Sequence, residues 1–188
     1  MNEFIKTENE RIKTQGYVDQ CIVKHFTYTM LPLCLDLKLT PNFITTLSLI
    51  CGIISSIMIY QDDYYAGSIF FLFRYLLDCL DGPLARLSKT TSQLGDIYDH
   101  LVDYTTFILF YINCFVKKFS LFFFIILHFL LITSIIHYAI LARDKKKGII
   151  YNITKFLPLN KNLTKWTINL ETGTMTLFTT IAILLHDK

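Results

Sequence analysis

Apolar residues run in blocks at about 43–61, 65–85, 96–116, 119–142 and 168–186, separated by polar breaks. A bilayer core of about 30 Å takes roughly 20 helical residues to cross, so each block predicts a membrane-spanning helix. The breaks are Gln61-Asp62-Asp63, the polar stretch 88–93, Lys117-Lys118, and a long segment from Arg143 to about Leu163. Residues 17–39 are patterned differently: Asp19, Lys24, His25, Asp36 and Lys38 are interspersed among apolar positions, and Pro32 interrupts them. This predicts an amphipathic helix at the cytosolic interface rather than a sixth span. The expected fold is therefore an all-α integral membrane bundle of five spans plus that interfacial helix. Residues 1–40 form the cytosolic N-terminal segment and 41–188 the transmembrane domain. No repeat at a solenoid period is present.

Composition strengthens this reading. Hydrophobic residues make up 53% of the 188 and charged residues 18%, against about 25% charged in soluble domains. Sixteen Phe and eleven Tyr against seven Gly and four Pro exclude a disordered or low-complexity chain. A net charge of +3 is too small to imply a nucleic-acid partner. The five cysteines form no CxxC pair and mostly sit in apolar runs, where they read as small buried hydrophobes. Met1-Asn2-Glu3-Phe4-Ile5-Lys6 is polar and mixed in charge, unlike a cleaved signal peptide.

Lys and Arg set the orientation. Lys6, Arg11, Lys13, Lys24 and Lys38 precede the first span, Arg86 and Lys89 follow the second, and Arg143, Lys145, Lys146 and Lys147 follow the fourth. The opposite face holds only Lys117 and Lys118. The N-terminus and both basic loops are thus expected in the cytosol. The Asn-x-Thr sequences at Asn152 and Asn162 then fall on the cytosolic side and read as chance matches.

Charge within a span is costly and usually marks a task. Asp78 and Asp81 share a face of the second span, and Asp99 and Asp103 share a face of the third. A short connection makes the two helices antiparallel neighbours, so both pairs can meet at one depth. Converging carboxylates repel unless protons or cations neutralise them. Carboxylate oxygens suit hard divalent ions, so two Mg²⁺ or Mn²⁺ ions are the economical expectation, and two metals can clamp the oxygens of a phosphoryl transfer. Arg74, four residues before Asp78, is expected to pair with it. His128 and His137 read as satisfied interior histidines, and Trp166 as an interfacial anchor.

The run Asp78-Cys79-Leu80-Asp81-Gly82-Pro83-Leu84-Ala85-Arg86, continued by Gly95, Asp99 and Asp103, fits the pattern D-x2-D-G-x2-A-R-x8-G-x3-D-x3-D. It resembles the signature of the class-I CDP-alcohol phosphatidyltransferases, membrane enzymes of phospholipid biosynthesis. A chance match is on the order of one in a billion per start site at ordinary residue usage. The resemblance implies a transferase that moves a phospho-substituted group from a CDP-activated donor to an alcohol and releases CMP. Asp78, Asp81, Asp99 and Asp103 would hold the metals, with Asp103 also the catalytic base. Gly82, Arg86 and Ser92 would contact the CDP moiety. Asn42 and Thr45, in a stretch resembling the family's PNxxT, would line the same pocket. The donor would be a CDP-activated lipid or aminoalcohol and the acceptor an alcohol or diacylglycerol. The resemblance also implies a six-span core and a homodimer in the bilayer, with the active site at the cytosolic face.

Several of these residues have a plainer reading. Thr40 and Pro41 make a good helix start alone, and Ser92 can cap the third span. Gly82 can serve packing, and Arg86 can be a cytosolic anchor. Asp96, three residues before Asp99, is not a fixed family position. Leu94–His100 and Gly16–Asp19 resemble the choline and ethanolamine phosphotransferase branch, whereas the length suits the phosphatidylinositol, phosphatidylglycerophosphate and phosphatidylserine synthases. Lys165-Trp166-Thr167 faintly resembles a basic element of glycerophosphate users. A cation-binding or cation-transporting membrane protein and a degenerate, non-catalytic family member are the alternatives. The first would need the carboxylates but has no use for Gly82 followed by Arg86.

Overall fold

The computed structural model describes residues 1–145, 156 and 172–186, and it is helical throughout that part apart from the turns. The N-terminal segment holds α1 (Asn2–Ile12), α2 (Tyr17–Ile22) and α3 (Tyr28–Asp36), the last two joined by a π-helical turn, Val23–Thr27. The longer helices follow as α4 (Pro41–Tyr60), α5 (Tyr64–Leu87), α6 (Gln93–Val116), α7 (Leu121–Lys145) and α8 (Thr172–His186). Each apolar block of the sequence is one of these five, and α2 to α3 cover the expected interfacial stretch. Polar α1 is an element that hydropathy does not announce. The Asn-x-Thr sequences, Trp166 and Lys146–Lys147 lie outside the described residues.

Side-chain caps start the helices. Thr40 Oγ1 accepts from Phe43 N at 3.3 Å with Pro41 in the first turn, Asp63 Oδ1 from Ala66 N at 3.0 Å, and Ser92 Oγ from Gly95 N at 3.0 Å. The ends of α3, α4, α5 and α6 share one device. Lys38, Asp62, Lys89 and Lys118 each take a left-handed φ, and the next residue's N–H reaches back to a carbonyl of the last turn, as in Thr90 N to Ala85 O at 3.0 Å.

Among the described residues, α4 is the helix both long and apolar enough to cross a membrane, with mean hydropathy 2.0. It packs against α5 and α6, and each lies closer to α4 than to the other. A Cβ on Gly67 of α5 would fall 2.7 Å from Ile59 Cγ1, so glycine sets how close α4 and α5 come. Polar side chains join the apolar helices: Ser48 Oγ donates to Arg74 O at 3.1 Å and Ser55 Oγ to Gly67 O at 2.7 Å. Ile59, Phe71, Phe110, Phe123, Leu127 and Ile183 form the main core. Outward faces remain apolar, as at Ile53 and Ile57 on α4, Ile108 and Ile112 on α6, and Phe122 and Phe129 on α7.

A proline fixes the N-terminal helices onto this bundle. Pro83 lies inside α5 and cannot donate to Cys79 O. Buried Thr27, from the π-helical turn, fills the gap with its Oγ1 at 3.2 Å. Phe4 of α1 packs on Leu31, Cys34, Ile44, Leu80 and Leu84. Fully buried His137 of α7 meets Thr14 O through Nε2 at 3.1 Å, an interior histidine as expected. His128 is exposed instead, its Nδ1 2.7 Å from Phe124 O.

Candidate active site

Asp78 of α5 and Asp99 and Asp103 of α6 each direct one carboxylate oxygen into a common spot, all three within 4.8 Å of one another. Asp99 Oδ1 is buried with no hydrogen-bond partner. Asp81 stands apart from this trio. The three-residue step from Asp78 turns it toward α4, where its Oδ2 accepts from Thr45 Oγ1 at 2.5 Å. Helix spacing thus puts the two aspartates on one side of α5 with different neighbours.

Arg74 corrects one expectation. Its guanidinium makes its close ion pair through Nη2 with Asp103 on α6, while Nε donates to Thr106 Oγ1 at 2.8 Å, and only its charge reaches Asp78 on its own helix. The arginine is buried, so one positive charge stands among the carboxylates. His100 Nδ1 lies 3.8 Å from Asp99 Oδ2 at the outer edge.

Beside the acids opens a cleft. Asn42, Thr45, Gly82, Arg86 and Ser92 all line it, together with Asp81 and Asp99. Ser92 and Thr45 therefore do two things, since each also makes a structural hydrogen bond. Asp96 and the loop residues Thr90 and Thr91 line it too. Sequence reasoning set Asp96 aside, although its place one turn before Asp99 was a usable signal. The Gly82 side of α5 is open to the cavity: the nearest atoms to an added Cβ belong to Arg86, with Nη1 at 3.2 Å.

A second missed residue is Glu8 of α1, 3% exposed. It accepts from Arg86 Nε at 3.0 Å and Nη2 at 2.7 Å, and from Arg11 Nη1 at 2.8 Å. Burial opposes its ionisation, but the hydrogen bonds and charges of Arg86 and Arg11 prevail and hold the carboxyl below the ordinary range. Burial, and then the Glu8 charge, push the Tyr28 hydroxyl up.

The acid trio suits a divalent cation on its own geometry. Three hard oxygens converge, one buried oxygen lacks a partner, and a single arginine leaves the carboxylates under-neutralised.

The family model for CDP-alcohol phosphatidyltransferase matches residues 38–187, and the chain belongs to that family. No curated protein matches it. Membership makes it a transferase whose class moves a phospho group from a CDP-alcohol in phospholipid biosynthesis.

Proposed function

We propose that the chain transfers a phospho-substituted group from a CDP-activated donor to an alcohol hydroxyl at the cytosolic membrane face, releasing CMP. The observation that carries this reading is a shared cavity: the five residues expected at the nucleotide line it with Asp81 and Asp99, beside the acid trio. An ion path has no use for a glycine that opens α5 to the cavity beside an arginine edge left open toward it.

Asp78, Asp99 and Asp103 would hold a divalent cation, Mg²⁺ or Mn²⁺, with Asp81 completing a two-ion set. Bound metal would supply charge neutralisation and polarisation of phosphoryl oxygens. Gly82 admits the pyrophosphate against the helix backbone, where a side chain would stand in the way. Arg86 offers a fork to a phosphate oxygen. Asn42, Thr45 and Ser92 line the nucleotide's side of the cavity. Asp103 takes the proton of the attacking hydroxyl, and Arg74 fixes the carboxylate that does so.

The apolar outward faces of α4, α6 and α7 favour a bundle with α4 to α8 in the bilayer, residues 41–188 as the catalytic domain and 1–40 on the cytosolic surface. A homodimer is part of this proposal. The flanks favour the choline and ethanolamine branch. CMP release by purified protein in detergent with Mg²⁺ or Mn²⁺ tests the reading. CDP-ethanolamine or CDP-choline with diacylglycerol would be compared with CDP-diacylglycerol plus inositol, glycerol 3-phosphate or serine. Release with one pair names the substrates, and silence from folded protein with every pair contradicts the proposal.

A further inference from the structure

Arg86 has one edge occupied and one edge open. Its Nε and Nη2 are both taken by Glu8, which comes from a helix 78 residues earlier. Nη1 has no acceptor among the described residues and faces Gly82, 3.2 Å from where a Cβ would sit. Both residues line the cavity. A free arginine side chain samples many rotamers, and holding one of them lowers the entropy lost when a ligand is bound.

The helix that carries Glu8 is itself anchored. Ile12 is 1% exposed, Phe4 packs on the Leu31–Leu84 cluster, and Tyr28 Oη donates to Asn9 Oδ1 at 3.2 Å. Arg11, on the next turn, supplies a second positive charge to Glu8 Oε1, so the carboxylate stays charged in its buried place. Polar α1 is thus fastened over the end of α5 with an acidic group aimed at the arginine of the pocket.

We propose that Glu8 is a positioning residue: it grips the Nε/Nη2 edge of Arg86 and presents the Nη1 edge to a phosphate oxygen of a nucleoside diphosphate lying over Gly82. The inference rests on the nucleotide reading of the cavity and adds α1 to the donor site. The opposing arrangement, Glu8 as an internal competitor that phosphate must displace, predicts the opposite sign.

CDP affinity, measured by calorimetry on full-length protein in detergent with Mg²⁺, separates these. Wild type, Glu8→Ala, Glu8→Gln, Arg86→Ala and the Glu8→Ala/Arg86→Ala double variant would be compared. Positioning predicts about a tenfold loss for Glu8→Ala and for Arg86→Ala, with no further loss in the double variant, because Glu8 acts only through Arg86. Glu8→Gln, which keeps the shape and one acceptor oxygen, loses less and serves if the alanine variant misfolds. Unchanged or tighter binding by the Glu8 variants overturns the proposal. So does an additional loss in the Arg86→Ala background, which marks a general structural role. Wild type that does not bind CDP removes the nucleotide reading itself, and the proposal with it.

Discussion

Arg74 of α5 reaches across to Asp103 of α6, not along its own helix to Asp78. Thr106, one turn beyond Asp103, holds the guanidinium from the side. The pair couples the helices that carry the acids at a point where they do not pack closely on each other. Replacing Arg74 by Met is expected to cost about 1–3 kcal/mol, the penalty for stranding a half-buried charged partner. Thermal unfolding in detergent measures it. Most of the loss should vanish in an Arg74→Met/Asp103→Asn background, and a loss of equal size there would show that Arg74 acts through packing alone.

The orphaned oxygen of Asp99 gives a prediction about metal removal. With chelator present, Asp99→Asn is expected to be at least as stable as wild type, because it relieves repulsion within the trio. Adding Mg²⁺ should then raise the unfolding midpoint of wild type only. Saturation to a hundredfold over the dissociation constant is worth about 2.7 kcal/mol. An equal rise in Asp78→Asn and Asp99→Asn would count against the cation site.

Gly82→Ala should separate stability from binding. Alanine in a helix interior is worth about 0.5–1 kcal/mol over glycine, and the added Cβ meets only the end of the Arg86 side chain. Because Glu8 holds that guanidinium, its displacement by a few tenths of an ångström offsets part of the gain; the variant is expected to be folded, within about 1 kcal/mol of wild type, yet to bind CDP at least tenfold more weakly. Undiminished CDP affinity would show that no ligand approaches Gly82.

Acid should release α1. Glu8 has a depressed folded pKa, so its contribution is fully present above its unfolded value of about 4.3 and is lost as pH falls through the lower folded value. Hydrogen exchange of α1 amides is expected to rise below about pH 4, after correction for the intrinsic rate. Glu8→Gln should abolish that acid-dependent step while leaving the rest of the profile in place. A step that persists in the variant assigns it to other carboxylates.

The long helices were legible because each signal is local. Apolar runs marked α4 to α8, and Thr40 and Ser92 marked two of the starts. Asn42, Thr45, Asp81, Gly82, Arg86, Ser92 and Asp99 of the cavity lining were legible through the family resemblance of their motifs, whereas Asp96, Thr90 and Thr91 were not. What escaped is carried by contacts between distant segments. Nothing near Glu8 distinguishes it from the other acids of a polar N-terminus, since its burial depends on Arg86 far along the chain. For Arg74 the i, i+4 spacing points to Asp78, which its charge does reach, whereas its close partners are Asp103 and Thr106 on a neighbouring helix. The four aspartates divide into three and one because Thr45 takes Asp81.

The most direct test of the central claim is CMP release by wild type and by Asp103→Asn, with CDP binding measured on the same samples. A base that takes the hydroxyl proton contributes about 10²–10⁴-fold. The account predicts a fall in release of that size with CDP still bound. Release from Asp103→Asn at the wild-type rate would contradict it.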